Sequence, residues 1–212
     1  MDVRAYQGRG SLRLILGLAA LTLLLTGCAH AGTTRAGSQP RPAAKTQAVT
    51  KIESFSAYDA SGRLAVKIAA TTRGSCWTTS VAAPAPDAFR CFAGNNILDP
   101  CFARPAAGAT GEVACLATPW SAATVLTLTA PLPKPDPQAV GRAWAFQLDN
   151  GARCVASTGT VPQVQGINLG YHCTDGSDAA LRDISAPLVT ADYGEAKSQA
   201  IQSVTVPRIW RG

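Results

Sequence analysis

Seven cysteines and two histidines carry most of the reactive chemistry of this 212-residue chain. The cysteines are Cys28, Cys76, Cys91, Cys101, Cys115, Cys154 and Cys173; the histidines are His30 and His172. A side-chain nucleophile needs a base beside it. His172 stands between Tyr171 and Cys173 in a segment that reads as a strand, so it points away from both. No G-x-S-x-G elbow, H-E-x-x-H pair, Walker loop or G-x-G-x-x-G turn occurs, and Ser75 lacks an elbow's second glycine. Two carboxylates can hydrolyse a glycoside without any sequence signature. Asp87, Asp99, Glu112, Asp175, Asp178, Asp183, Asp192 and Glu195 are available, but most sit beside Gly or Pro, where Asp shapes turns. Zinc sites usually show a close cysteine pair, and the tightest spacing here is Cys91 to Cys101. The expectation is a protein without a catalytic constellation, metal or cofactor.

The segment Asp87 to Phe102, DAFRCFAGNNILDPCF, is the most unusual. Cys91 and Cys101 bracket Gly94-Asn95-Asn96 and Asp99-Pro100, pairs that mark turns. Arg90, Asn95, Asn96 and Asp99 are expected on a loop held at both ends. It is either a stapled turn whose Asn side chains bond their own backbone or a ligand-contact loop.

The elements that must position these residues read as strands. Leu64, Val66 and Ile68 alternate with polar or small neighbours, as do Leu126 with Leu128 and Trp144 with Phe146 and Leu148. Asn150-Gly151 predicts a type I′ hairpin over residues 142–158. That register pairs Phe146 with Val155 and Gln147 with Cys154, and sets Cys154 on the face opposite Phe146. Asp175-Gly176 predicts a second hairpin, and a strand is expected around Ser203 to Trp210. Only Glu195 to Gln202 has a helix-friendly composition. Pro131 to Pro137 reads as a stiff connector. The expected fold is mainly β: a small antiparallel sandwich or barrel-like sheet built from hairpins and stapled by disulfides, over residues 61–212.

The charge lies elsewhere. Arg4, Arg9 and Arg13 precede the apolar run Leu14 to Leu25, the order of an export signal. As a helix that run rises about 18 Å, short of the ~30 Å hydrocarbon core. The run ends Leu25-Thr26-Gly27-Cys28, which resembles the bacterial lipobox. The resemblance implies a signal peptide over 1–27, a diacylglycerol on the Cys28 sulfur and attachment to the outer face of the cell membrane. Residues 28–60 are rich in Ala, Gly, Ser, Thr and Pro and read as a flexible tether. The net charge of +6 divides as +2 in the leader, +3 between Ala29 and Glu53, and +1 in the rest. A nucleic-acid partner therefore loses its support. A cationic tether would lie close to anionic headgroups or serve solubility alone. Export also assigns the six remaining cysteines to disulfides. Mid-strand positions favour Cys154–Cys173, and local pairing then leaves Cys76–Cys91 and Cys101–Cys115.

Gly74-Ser75-Cys76-Trp77-Thr78, Arg90-Cys91, Gly94-Asn95, Ile97, Asp99-Pro100-Cys101-Phe102, Asn150-Gly151 and Tyr171-x-Cys173 together resemble a group of uncharacterised exported actinobacterial proteins. That likeness implies an envelope location and the disulfide set, without an activity. Tyr171, Cys173 and Gly176 are also similar to the Tyr-x-Cys-x-x-Gly element of membrane-bound lysozyme inhibitors, though the extra cysteines and longer chain depart from them. The expected function is non-enzymatic binding of an unknown envelope ligand or partner. A hydrolase of envelope polymers and an inhibitor of a wall-degrading enzyme are the alternatives.

Overall fold

The computed structural model describes residues 48–105, 111–136, 142–195 and 197–212. The leader, the lipobox with Cys28, the tether to residue 47 and Pro137 lie outside the described residues. Lys45–Gly212 forms one unit that contains every strand and all three disulfides. The described residues are strands, turns and irregular chain, with no helix, so the mainly β, disulfide-stapled expectation is what the structure shows.

The first layer is a closed barrel of five strands: β2 (Ile68–Thr79), β3 (Ala88–Ala93), β4 (Asn96–Ala103), β5 (Glu112–Cys115) and β6 (Ala123–Leu128). Each strand is antiparallel to the next. In such a meander the first and fifth strands run the same way, so the barrel closes by parallel pairing of β2 with β6. Cys76, Phe89, Cys91, Cys101, Val113, Cys115 and Leu126 fill its interior.

The second layer is an eight-stranded sheet in the order β1-β15-β7-β8-β11-β12-β13-β14. Its members are β1 (Lys51–Ser54), β7 (Ala145–Gln147), β8 (Arg153–Ala156), β11 (Tyr171–Cys173), β12 (Asp178–Leu181), β13 (Val189–Glu195), β14 (Ala200–Val206) and β15 (Arg208–Arg211). The small hairpin of β9 (Gln163–Val164) and β10 (Ile167–Asn168) lies between β8 and β11 in sequence. β14 and β15 are separated by Pro207 alone. One stretch of chain therefore pairs with β13 before the proline and with β7 after it, and the sheet curls back on itself. Its inner face buries Phe146, Leu148, Tyr171, Val189, Val206 and Ile209. Trp144 packs with Phe102 and Phe55, with centroids 5.5 and 4.9 Å away, and joins the inner face of the sheet to the outer wall of the barrel.

Several expectations are corrected. The tether was expected to run to Ala60, but Lys51–Ser54 is a strand parallel to β15. Thr50 is buried there, its hydroxyl donating to the Val206 carbonyl and accepting from the Val189 N–H. Leu64 makes one bridge to Tyr58 and β2 starts only at Ile68; Leu64 and Val66 pack against the Trp144 cluster without being in a strand. In the helix-friendly segment Glu195 ends β13, residues 197–199 form a turn and Ala200 opens β14. The Asn150-Gly151 hairpin has a three-residue loop. Only Gly151 takes positive φ, at 90°, and Leu148 bonds Ala152 across the loop. This is the type I turn with an added left-handed residue, not type I′. The register moves by one, Phe146 faces Cys154, and both point into the core.

Candidate functional site

The segment expected as a stapled loop is the β3–β4 hairpin. Ala93 pairs with Asn96 around Gly94-Asn95, and Gly94 has φ 59°, the geometry of a type II′ turn with glycine first. Strand alternation then separates the residues by face. Phe89, Cys91 and Cys101 point into the barrel. Cys91 and Cys101 do not hold one loop together. Cys91 bonds Cys76 on β2, and Cys101 bonds Cys115 on β5. Each pair, like Cys154–Cys173, is directly opposed across two strands. The sulfurs of Cys91, Cys101 and Cys115 lie within 4.8 Å of one another, but thiolate is the metal-binding form and all three are in disulfides.

The outward side carries the site. Ser75 opposes Phe92, and Phe92 opposes Ile97. One step along, Trp77 and Asp99 flank Arg90. The register shifts on both sides of Arg90: Trp77 is extra on β2, and Asp99-Pro100 together face Arg90 from β4. A bulge re-aims side chains and tolerates a proline without a ladder donor. Trp77, Phe92 and Ile97 are 43%, 42% and 57% exposed, although aromatic rings of this size bury large apolar areas in cores. Trp77 and Phe92 sit 5.5 Å apart, and the Arg90 guanidinium lies 5.7 Å from the Trp77 ring.

Arg90 is fixed from below. Its Nε lies 3.7 Å from Asp99 Oδ2, and its Nη2 donates to the Thr158 carbonyl at 3.5 Å. Arg90 Nε is buried without a hydrogen-bond partner. The Asp99 side chain is 2% exposed and accepts from the Ser80 hydroxyl, the Val81 N–H at 3.2 Å and the Ala82 N–H at 3.4 Å. Burial nevertheless raises its carboxyl above the ordinary value, against those donors and Arg90. On its other side Asp99 borders a cleft of about 240 Å³ shared with Ile97, Leu116, Ser121 and Thr124.

Of the four expected contact residues, the structure brings Arg90 and Asp99 together and leaves Asn95 and Asn96 exposed at the hairpin tip. Trp77, Phe92 and Ile97 were not singled out as contact residues. Their signal was the Gly-Asn pair: a two-residue turn there pairs Phe92 with Ile97 on the face opposite Cys91. His172 bonds Asp178 across β11 and β12 on the exposed side of the sheet. Asp59 is engaged by Ser61 and Arg63, Asp183 by Ser185, Asp192 by Arg182, and Asp175 by Tyr193.

Comparison with protein families, curated proteins and solved structures finds no match to this chain.

Proposed function

We propose that this is an extracytoplasmic lipoprotein, held to the outer face of the cell membrane by acyl chains on Cys28, that binds an envelope ligand or partner through the Trp77–Phe92–Ile97 face without catalysing a reaction. The observation that carries the reading is the exposure of two neighbouring aromatic rings, tilted at 41° to each other, beside an arginine that pairs with a buried carboxylate. Exposed apolar clusters rimmed by polar residues mark interaction sites, and aromatic residues and arginine are the usual energetic anchors of such sites. Two disulfides behind the face keep it preorganised, which lowers the ordering cost of binding. Three cross-strand disulfides fit an oxidising, extracytoplasmic compartment. The leader and the Leu25-Thr26-Gly27-Cys28 motif support the lipid anchor.

The test is affinity capture from intact envelopes with the wild-type protein and a Trp77→Ser/Phe92→Ser variant. Both side chains lie on the outside of the barrel, and circular dichroism checks that the variant keeps its fold. A partner retained by the wild type and lost by the variant is the expected result. Equal capture by both, or turnover of wall polymers by the pure protein, overturns the reading. Cys28→Ala is expected to move the full-length protein out of the detergent phase; an unchanged detergent fraction removes the anchor.

A further inference from the structure

We propose that a second surface, the outward face of the large sheet at its β1 edge, docks the domain on anionic lipid headgroups. The face is built by register. Arg153 opposes Gln147, Gln147 opposes Arg208, and Arg208 opposes Lys51, so three cations and an amide form one row across four neighbouring strands. Trp210, two residues along β15 from Arg208, points the same way. It meets Trp120 at 5.4 Å. The Arg153 guanidinium lies 5.2 Å from the Trp120 ring, and that of Arg208 lies 5.7 Å from the Trp210 ring. Glu53, opposite Trp210 on the same face, is the acid beside the row, 2.6 Å from Lys51 and 3.6 Å from Arg208. One carboxylate against three cations leaves the face positive, and the Lys51 and Arg208 side chains remain 67% and 46% exposed.

Two observations choose the occupant. Tryptophan beside arginine and lysine is the composition that settles at headgroup level, the rings in the interface and the cations against anionic lipid. The second is where the chain enters. β1 is the edge strand of this row and the first strand of the domain. Twenty-two residues separate it from Cys28, a span of no more than about 80 Å when fully extended. The docking therefore rests on the anchor reading above: a tethered face meets the membrane at high effective concentration, and weak intrinsic affinity suffices. Docking would fix the orientation of a domain that a lipid alone leaves free to turn.

The test uses Lys45–Gly212, which holds both sheets and every disulfide and carries no acyl group. It is sedimented with vesicles of phosphatidylcholine alone and with vesicles containing about one-third phosphatidylglycerol, a probe of membrane charge. Binding is expected on the anionic vesicles only, falling with added salt, and roughly thirtyfold weaker in Arg153→Gln/Arg208→Gln. Trp77→Ser, on the other face, should bind as the wild type does. If circular dichroism shows the double variant unfolded, Lys51→Glu at the exposed edge gives the same reading. Equal binding to both vesicle types, no effect of the substitutions, or tighter retention on soluble polyphosphate than on vesicles overturns the proposal. Acylation plays no part in this assay, so its failure is separable from failure of the Cys28 anchor.

Discussion

Asp99 sits among donors and next to a guanidinium, yet burial dominates and lifts its carboxyl above the ordinary value of 3.8. A carboxyl raised on folding holds its proton more tightly in the native chain than in the unfolded one. Its contribution thus favours the fold at pH below 3.8 and is lost as pH climbs through the raised value. Asp87, also raised by burial, acts in the same sense. Asp59 and Asp183, lowered chiefly by hydrogen bonds from Ser61 and Ser185, act in the opposite one, and their support is lost as pH falls. The difference between wild type and Asp99→Asn isolates the one group. In urea titrations from about pH 3 to pH 6, the stability of the wild type relative to the variant should decline with rising pH. A difference flat across that range would show that Asp99 titrates as an ordinary carboxyl. Arg90 and Asp99 were legible as candidates because a short polar segment offered few others. That they meet was not legible, because both bulges beside Arg90 depend on neighbouring strands.

At the scale of the element, the aromatic face depends on how closely β2 approaches β3. Gly74 makes that approach possible: a Cβ there would stand 2.0 Å from the Phe92 carbonyl oxygen and 2.9 Å from Leu126 Cδ1. Gly74→Ala must push the strands apart, and overpacking of this kind costs about 1–3 kcal/mol. The expected result is a lower urea midpoint with Cys76–Cys91 still formed, and loss of the partner captured by the wild type. Stability within error of the wild type would mean that the strands separate freely there. Strand alternation in Trp144-Ala145-Phe146-Gln147-Leu148 was readable and correct. The hairpin register was not, since Asn-Gly suits both the two-residue loop and the observed three-residue one, and one residue of slip exchanges the faces. The Cys154–Cys173 pairing tolerated that error, because it depends on β8 lying beside β11 and not on the turn that joins β7 to β8.

Whole-molecule topology was the least legible level. β1 and β15 come from opposite ends of the described chain and lie side by side, and no local pattern encodes such a pairing. Beside it packs the shared cluster of Phe55, Phe102 and Trp144, contributed by the segment after β1, by β4 and by the residue before β7, and the Trp144 N–H donates to the Trp210 carbonyl of β15. Each layer has its own interior and its own disulfides, two in the barrel and one in the sheet. The largest buried side chain that packs between them is Trp144, 1% exposed, and the two layers are expected to unfold together through this cluster. Trp144→Ala should cost about 3–5 kcal/mol, and the cost should fall unevenly. The barrel, closed and doubly cross-linked, keeps its staples, whereas the sheet loses the packing at the end where β7 meets β15. Hydrogen exchange reads this strand by strand. In the wild type, β4 and β8 should open with the same free energy. In the variant β8 should exchange faster than β4, splitting one transition into two. Equal loss of protection in both strands would place the coupling elsewhere, in the backbone bonds that Trp144 makes to Trp210 and Ala156, which alanine retains.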